Sequence, residues 1–293
     1  MTWLLTGGSG QLASSIAQLL DEEGISFIAP SKSELDITKP SSIEQIIRWK
    51  PSFIVNCAAY TAVDKAESEP EIAHLVNATG AENVASAAKE IQVQLVHIST
   101  DYVFSGESDI PWGVDSQTSP STEYGKSKLA GEEAVKEIYP EGSLIFRTAW
   151  LYSPFGKNFA KTMIKKALSE SNEVKVVDDQ TGQPTSTFDV AQRIIEVQKN
   201  ATPAGTYHGT NSGEASWYEF TKEIFRLSGA SLDRVTPVTS AEYLTLAKRP
   251  SYSVLNHSNW GEVGLSRLRS WQSALVDVFP SIRSQVEREL RNG

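Results

Sequence analysis

Short apolar runs alternate with helical patterns along the first half of the chain. Trp3 to Leu5 predicts a strand, the apolar positions from Leu12 to Leu20 follow helical spacing, and Gly24 ends that helix. Further strands are predicted at residues 25–29, 53–58, 95–99 and 143–147, and further helices at residues 41–50, 71–90 and 122–137. Alternating units with short connections predict an α/β fold, in which a doubly wound, Rossmann-like parallel sheet carries helices on both faces.

After about residue 150 this alternation loosens. Residues 174–177 and 189–198 are expected to return to the central sheet, whereas the other segments are richer in turns and tryptophan. The predicted boundaries are 1–150 plus about 174–200 for a larger domain, and about 151–173 plus 201–293 for a smaller, discontinuous C-terminal lobe.

Composition limits the ligands and the compartment. The 293 residues are 40% hydrophobic with a mean hydropathy of -0.28, which predicts a globular chain with a sizeable core. A net charge of -9 and a pI near 5.1 argue against a broad nucleic-acid or anionic-membrane surface. No apolar run is long enough to predict a membrane span, and a strand begins at the N-terminus where a leader would stand. Cys57 is the one cysteine, which excludes an internal disulfide framework, so we expect a cytoplasmic protein.

A glycine-rich turn joins the first predicted strand to the first helix. Glycines at such a turn let the backbone approach a pyrophosphate, and the helix N-terminus offers unpaired N–H groups and a positive dipole end. Gly7 and Gly10 keep the spacing of a dinucleotide-binding turn, while Ala13 stands where a third glycine is common. The larger domain is therefore predicted to bind a dinucleotide and the smaller lobe to bind the substrate; the alternative is a glycine turn without a ligand.

The end of the second predicted strand bears on which nicotinamide cofactor binds. A preference for NAD is usually signalled by an acidic residue that holds the ribose hydroxyls there, but this chain has Ser31 and Lys32. A hydroxyl and a cation suit a 2′-phosphate, so NADPH is the favoured cofactor and NADH the alternative. Asp36 comes several residues later and is assigned to the adenine, or alternatively to a turn before Pro40.

Tyr124 and Lys128 lie about one helical turn apart. This spacing places a phenol and an ammonium on one helix face, where the cation favours the ionised phenolate and proton transfer near neutral pH. Tyr218 and Lys222 share the spacing, but their helix has an amphipathic pattern, so we interpret that pair as structural. Tyr124 differs because a strand ending near Thr100 and the glycine turn precede it. Together these features predict nicotinamide-dependent carbonyl chemistry.

Seven segments, in order along nearly the whole chain, carry a resemblance to a known family. They are Gly10 to Leu12, Leu35 to Thr38, Asn56 to Glu67, Ser99 to Phe104, Tyr124 to Lys128, Arg147 to Trp150, and Asp179 to Thr185. The chain resembles the extended short-chain dehydrogenases/reductases and, among them, the dTDP-4-dehydrorhamnose reductase family. The resemblance implies hydride transfer to the C4 ketone of dTDP-4-dehydro-6-deoxy-L-mannose, giving dTDP-L-rhamnose in the last step of dTDP-rhamnose biosynthesis.

The resemblance also implies roles for single residues. Tyr124 would protonate the developing alkoxide, Lys128 would hold the nicotinamide ribose and lower the tyrosine pKa, and Thr100 would hydrogen-bond the carbonyl oxygen. With the turn and strand-end residues above, the cofactor positions are Gly7, Ser9, Gly10, Gln11, Leu12, Ser31, Lys32, Asp36, Ile37, Ala58, Ala59, Tyr60, Tyr124 and Lys128. The substrate positions are Thr100, Asp101, Tyr102, Tyr124, Trp150, Gln180, Thr185 and Arg249.

Several substrate-side residues have a structural alternative. Trp150 places a large amphipathic ring at a strand end, which suits a sugar face, although without the resemblance a core tryptophan would be the favoured interpretation. Gln180 and Thr185 stand in a segment that a tight turn explains equally well. Arg249 would supply positive charge to the substrate diphosphate, or would belong with Lys248 to a solvated surface.

The sequence departs from the resembled family at one point. Some members are described as joining two subunits through a magnesium held by acidic side chains, one of them from the first helix. Ser14 and Ser15 stand at that helix start, so we predict no metal and leave the oligomeric state open between monomer and homodimer. The predicted partner is the dTDP-sugar substrate, with no nucleic acid and no membrane.

Two other functions compete with the reductase. A nucleotide-sugar epimerase or dehydratase of the same superfamily would reuse a tightly held NAD, and Lys32 counts against it because such enzymes tend to have an acid there. A non-catalytic, dinucleotide-binding regulatory subunit would have no need of a proton-transfer set, yet Thr100, Tyr124 and Lys128 are all present.

Overall fold

Six parallel strands form the central sheet of the protein, seen in a computed structural model that describes residues 1–169 and 172–292. They are β1 (Thr2–Thr6), β2 (Ser26–Ile28), β3 (Phe53–Asn56), β4 (Leu95–Thr100), β5 (Ser143–Thr148) and β10 (Gly205–His208). Their order is β10-β5-β4-β3-β1-β2, and every neighbouring pair is parallel. The predicted doubly wound parallel sheet is confirmed.

Six shorter strands pair two by two outside this sheet. They are β6 (Leu151–Tyr152) with β9 (Thr185–Ser186), β7 (Val174–Val177) with β12 (Val235–Val238), and β8 (Thr181–Gly182) with β11 (Ala215–Ser216). The α-helices are α1 (Gln11–Glu22), α2 (Ser41–Trp49), α3 (Val63–Ala66), α4 (Pro70–His74), α5 (Gly80–Glu90), α6 (Glu123–Ile138), α7 (Phe159–Ser169), α8 (Thr187–Lys199), α9 (Trp217–Ser228) and α10 (Trp271–Asn292). A π-helical segment, Leu75–Thr79, joins α4 to α5, so the helix predicted over residues 71–90 is continuous.

Alternate side chains of β1 enter two separate cores. Trp3 and Leu5 pack on one face of the sheet with α1 and α8, while Leu4 packs on the other face with α2 and α5. All three side chains are fully buried, and burial of such a side chain contributes about 1.5–3 kcal/mol. The burial on both faces explains why the strand is a continuous apolar run instead of an alternating one.

The C-terminal part of the chain has a core of its own. Phe220 and Ile224 of α9 pack there with Leu275 of α10 and Val176 of β7. The Tyr218–Lys222 pair belongs to this helix, where the Lys222 ammonium lies 5.6 Å from the Tyr218 ring centroid. Within the described residues, no helix combines the length and hydropathy that crossing a bilayer requires.

One strand assignment from the sequence is wrong. Residues 174–177 pair with β12 and not with the central sheet, whose edge strand next to β5 is β10 at residues 205–208. The reason is that α8 packs against α1 over the sheet and returns the chain to the sheet edge, whereas the valines of β7 pack in the separate core around α9. The two-lobe boundaries as a whole stay a prediction.

A glycine allows α6 to approach the π-helical segment. A Cβ at Gly131 would lie 2.1 Å from the backbone oxygen of Asn77, a contact that requires the backbone to shift. The Asn77 side chain in turn bonds to the backbone N–H of Tyr60 at 2.8 Å and to Ser127 Oγ at 2.9 Å. The close approach therefore positions the helix that carries Tyr124.

We expect Gly131→Ala to destabilise the protein by about 1–3 kcal/mol, because the added methyl group overpacks this contact. Glycine to alanine within a helix otherwise stabilises by about 0.5–1 kcal/mol, so the contact reverses the sign. Urea unfolding measures the difference. Gly261→Ala is the matched control, since a Cβ there meets no atom within 4 Å. Equal stability of the Gly131 variant and wild type would contradict the steric argument.

Candidate active site

A cleft of about 670 Å³ opens at the carboxyl ends of β1, β3, β4 and β5. This edge is where the chain connections of a doubly wound sheet diverge and where such folds bind ligands. The predicted residues that line it are Gly7, Ser9, Gly10, Gln11, Leu12, Ala58, Ala59, Thr100, Asp101, Tyr102, Tyr124, Lys128 and Trp150. Those that are not among its lining residues are Ser31, Lys32, Asp36, Ile37, Tyr60, Gln180, Thr185 and Arg249.

The glycine turn forms a cradle with no room for side chains. Gly7 has a φ of +65°, and a Cβ there would lie 2.8 Å from the Cα of Ala58. A Cβ at Gly8 would lie 2.3 Å from the carbonyl oxygen of Ala29. Gly10 is the N-cap of α1, without a side-chain cap and without an acidic residue in the first turn. The helix N-terminus thus presents N–H groups and no competing negative charge, which fits a pyrophosphate.

Gln11 connects the cradle to the opposite wall of the cleft. Its Oε1 accepts hydrogen bonds from Ser153 Oγ at 3.1 Å and from Asn158 Nδ2 at 2.9 Å. Lys157 and Asn158 line the cleft beside Phe159, the first residue of α7. Sequence reasoning missed this wall because the segment follows no periodic pattern.

The end of β2 lies next to the cradle, since Gly8 N–H donates to Pro30 O at 3.1 Å. Ser31 uses both its N–H and its hydroxyl on Glu34 Oε2, at 2.8 and 2.7 Å. Lys32 is exposed to solvent. A carboxylate therefore occupies the Ser31 donors that were predicted for a 2′-phosphate.

Three other predicted cofactor residues are held by local contacts. Asp36 accepts from Thr38 Oγ1 at 2.7 Å, and this hydrogen bond lowers the pKa of the Asp36 carboxyl. Ile37 is buried against Gly80, and the Tyr60 hydroxyl donates to Glu69 Oε2 at 2.8 Å.

The proton-transfer residues converge where α6 packs on β4. Thr122 caps α6 by accepting from the Gly125 N–H at 3.0 Å, which places Tyr124 in the first turn. One turn later Lys128 Nζ donates to the carbonyl oxygen of Ile98 at 2.6 Å. Thr100 ends β4; its hydroxyl donates to Asp101 Oδ1 at 2.9 Å and acts to lower the pKa of Tyr124. The structure thus brings the three predicted catalytic residues into one cleft.

Burial dominates the proton affinities in this cleft. It raises the pKa of Tyr124 above 10, against the hydrogen bond with Thr100, while Asp101 and Tyr102 raise it further. It lowers the pKa of Lys128 to about 8. Lys128 is not among the groups that shift the Tyr124 pKa, and desolvation of the phenolate outweighs the lowering by Thr100, so the expected lowering of the tyrosine pKa is not found in this structure.

A pair of stacked tryptophans forms one wall of the cleft. The Trp150 and Trp217 rings stack with centroids 3.4 Å apart and planes at 8°. Trp150 has a φ of +45°, and a Cβ at Gly182 would lie 2.6 Å from its ring. Trp217 also lines the cleft. The sequence pattern placed Trp217 only on the apolar face of α9, because its second contact comes from a distant part of the chain.

The other predicted substrate residues lie around this wall. Gln180 Nε2 donates to Ser240 Oγ at 2.9 Å. Thr185 is fully buried, and its backbone N–H donates to Trp150 O at 3.2 Å. Arg249 forms a 2.6 Å salt bridge with Asp64.

Arg249 also reaches a residue of the cleft itself. Its Nη1 lies 3.4 Å from the hydroxyl of Tyr102, whose ring packs edge-on against Tyr124 with centroids 5.5 Å apart. Arg249 does not line the cleft itself, but it contacts Tyr102, which does. In the described part of the chain, no cluster of three or more potential metal ligands is found, and the prediction of no metal stays a prediction.

Comparisons with known proteins agree with this geometry. The RmlD substrate binding domain family matches residues 1–284. A dTDP-4-dehydrorhamnose reductase from Streptomyces griseus is 44% identical over 291 residues, covering 98% of this chain and 95% of the relative. A dTDP-4-keto-6-deoxy-D-glucose reductase from Streptomyces niveus is 42% identical over 284 residues, covering 96% and 98%.

A solved structure supports the same assignment. The dTDP-4-dehydrorhamnose reductase of Bacillus anthracis str. Ames, in complex with NADP, has a TM-score of 0.91 and 38% identity, covering 95% of this chain and 98% of that one. The resemblance drawn from the seven sequence segments is confirmed. The chain belongs to the RmlD substrate binding domain family and, within it, is related to the dTDP-4-dehydrorhamnose reductases.

Proposed function

We propose that this protein reduces the C4 ketone of dTDP-4-dehydro-6-deoxy-L-mannose with NADPH, giving dTDP-L-rhamnose in the last step of dTDP-rhamnose biosynthesis. The observation that carries the proposal is the convergence of Thr100, Tyr124 and Lys128 beside a glycine cradle in one cleft. The names of the Streptomyces griseus and Bacillus anthracis relatives support the substrate and the cofactor.

The cradle and the start of α1 would hold the cofactor. The backbone from Gly7 to Leu12 would bind the pyrophosphate, Ala58 and Ala59 would pack beside it, and Lys128 would bind the nicotinamide ribose. When bound, the reduced nicotinamide supplies the hydride. Ser31 and Lys32 favour the 2′-phosphate of NADPH, but Glu34 holds both Ser31 donors and would have to release them, so NADH is the alternative.

Tyr124 would protonate the C4 oxygen as the ketone becomes an alcohol. Because burial raises its pKa above 10, the phenol carries its proton at neutral pH. The Thr100 hydroxyl would hydrogen-bond the same oxygen as it gains charge. Lys128, with a pKa of about 8, is charged at neutral pH and would stabilise the phenolate that Tyr124 leaves behind.

The sugar nucleotide would bind between the tryptophan wall and the mouth of the cleft. Trp217 covers one face of Trp150, so the sugar would meet the remaining face or the edge of that indole. Asp101 and Tyr102 would contact the sugar near Tyr124. At the mouth, Arg249 would exchange its salt bridge with Asp64 for the substrate diphosphate. Gln180 and Thr185 would support this wall through their contacts with neighbouring residues.

A second sugar is also a candidate substrate. The Streptomyces niveus relative is named a dTDP-4-keto-6-deoxy-D-glucose reductase, and it matches the chain almost as closely. Reduction at C4 requires the same proton donor for either sugar, so the two substrates differ in how the cleft holds the ring. A cytoplasmic location and a monomeric or homodimeric state stay predictions.

The test is nicotinamide oxidation by the purified protein, with NADPH or NADH and each of the two keto sugars. Oxidation of one nicotinamide for each alcohol formed identifies a reductase. The relative rates then rank the two cofactors and the two sugars. Turnover without added cofactor would instead identify an epimerase or dehydratase. Dinucleotide binding without turnover would favour the regulatory subunit.

Tyr124→Phe should lower turnover by about 10²–10⁴-fold and leave NADPH affinity nearly unchanged, because the variant loses only the donated proton. Steady-state rates and cofactor fluorescence titration measure the two effects. Tyr218→Phe is the control, since Tyr218 has the same spacing to a lysine on α9. Undiminished turnover of the Tyr124 variant would refute its assignment as proton donor.

Gly182→Ala should raise the KM for the sugar nucleotide by about 10–100-fold, because the new methyl group displaces the Trp150 ring. The affinity for NADPH should stay unchanged. The matched control is again Gly261→Ala, in open space. A wild-type KM would show that Trp150 does not position the sugar.

Arg249→Met should raise the same KM by about 10–100-fold, as expected for loss of a charge-assisted hydrogen bond to the diphosphate. Lys248→Met should have little effect, because Lys248 is 70% exposed and pairs with the exposed Glu107. The assay compares the KM of both variants at two salt concentrations. Equal effects of the two substitutions would remove Arg249 from the substrate site.

A further inference from the structure

A buried carboxylate lies beneath the proton-transfer residues. Glu132 on α6 is fully buried, and its Oε1 accepts from Ser99 Oγ at 2.6 Å and from Arg147 Nε at 2.8 Å. Its Oε2 accepts from Arg147 Nη2 at 2.7 Å and faces Lys136 Nζ at 3.4 Å. Arg147 is itself only 2% exposed. An ion pair this deep in the protein is costly to desolvate, and is therefore weak evidence for a role in stability alone.

The partners of this carboxylate stand next to residues of the cleft. Ser99 directly precedes Thr100 on β4, and Arg147 lies three residues before Trp150 at the end of β5. Glu132 itself follows Lys128 by one helical turn and Tyr124 by two. A single carboxylate thus joins α6 and β4, which carry the proposed catalytic set, to β5, whose end leads to Trp150.

The electrostatics of Lys128 also depend on this carboxylate. Three ionisable side chains interact electrostatically with Lys128: Glu132 from α6 and Cys57 after β3 act to raise the pKa of Lys128, and Lys128 acts to lower the pKa of His97 on β4. Burial raises the pKa of the Cys57 thiol to about 12 and lowers that of His97 well below 6.5, so both are neutral. Glu132 is the charged member of the three and opposes the effect of burial on the Lys128 pKa.

The Glu132 carboxylate is ionised at neutral pH. Burial raises its proton affinity, but the hydrogen bonds from Arg147 and Ser99 hold the pKa of Glu132 below 4.5. On the far side, burial lowers the pKa of His208 to about 3, so this histidine adds no charge. Glu132 therefore keeps its negative charge throughout the neutral range.

We propose that Glu132 is a positioning residue of this active site, which fixes Thr100, Tyr124 and Lys128 relative to one another and holds a negative charge one helical turn from the Lys128 ammonium. The inference rests on the proposed function, because Lys128 is assigned there to the cofactor ribose and to the phenolate of Tyr124.

The test compares Glu132→Gln with the double variant Glu132→Gln/Arg147→Met and with Glu133→Gln as the control on an exposed neighbour. Glutamine keeps the shape of the side chain and removes its charge. The double variant removes both buried charges, which is often tolerated when the volume is kept, so it provides a folded protein if the single variant unfolds. The readouts are thermal unfolding, NADPH affinity against pH above neutrality, and the pH profile of kcat/KM.

We expect NADPH affinity and kcat/KM in wild type to fall as the pH rises through the pKa of Lys128. Without the negative charge that pKa drops, so the midpoint should move to lower pH by on the order of one unit in both Glu132 variants. Thermal stability should recover in the double variant while the midpoint stays displaced, because Glu132, and not Arg147, acts on the pKa of Lys128. Glu133→Gln should match wild type in every readout.

A wild-type midpoint in the double variant, with or without recovery of thermal stability, would overturn the proposal and reduce the ion pair to a structural role. Failure of the proposed function gives a different result, in which wild type binds NADPH but oxidises it with neither sugar. The NADPH titration then still decides whether Glu132 controls the charge of Lys128.

Discussion

The cleft depends above all on the packing of α6 against the end of β4. Lys128 enters the protein with its aliphatic chain and places its ammonium on the carbonyl oxygen of Ile98. The absence of a side chain at Gly131 lets the same helix approach Asn77 closely. These contacts fix the axial position and rotation of α6, and with them the direction of Tyr124. Tyr124, the proposed proton donor, is therefore positioned by contacts of the helix backbone as well as by its own side-chain contacts.

Burial gives the two titrating groups of this helix different charges. It raises the proton affinity of the Tyr124 phenol and lowers that of the Lys128 ammonium, because in each case the neutral form is easier to desolvate. At neutral pH the tyrosine is neutral and the lysine is still charged. Under the proposed function, Tyr124 then has a proton to donate, and the Lys128 ammonium can stabilise the phenolate that is left. The carboxylate of Glu132 preserves this division by opposing neutralisation of the lysine.

Contacts between distant segments complete the substrate side. The stack of Trp150 on Trp217 joins the end of β5 to the start of α9. The salt bridge from Asp64 to Arg249 joins the segment after β3 to a loop near the C-terminus. Each contact places a side chain from the C-terminal part of the chain at a cleft whose chemistry comes from the central sheet.

Patterns in the sequence were enough to predict the alternation of strands and helices, the glycine cradle and the pairing of Tyr124 with Lys128. These features depend on spacing within one or two adjacent elements, where periodicity and backbone sterics decide the structure. Long-range packing, by contrast, brings residues 205–208 and not 174–177 to the edge of the central sheet, and it brings Trp217 into the cleft. The same packing buries Tyr124 and so raises its pKa. Strand partners, ring stacking and desolvation arise from residues far apart in sequence, so no local pattern encodes them.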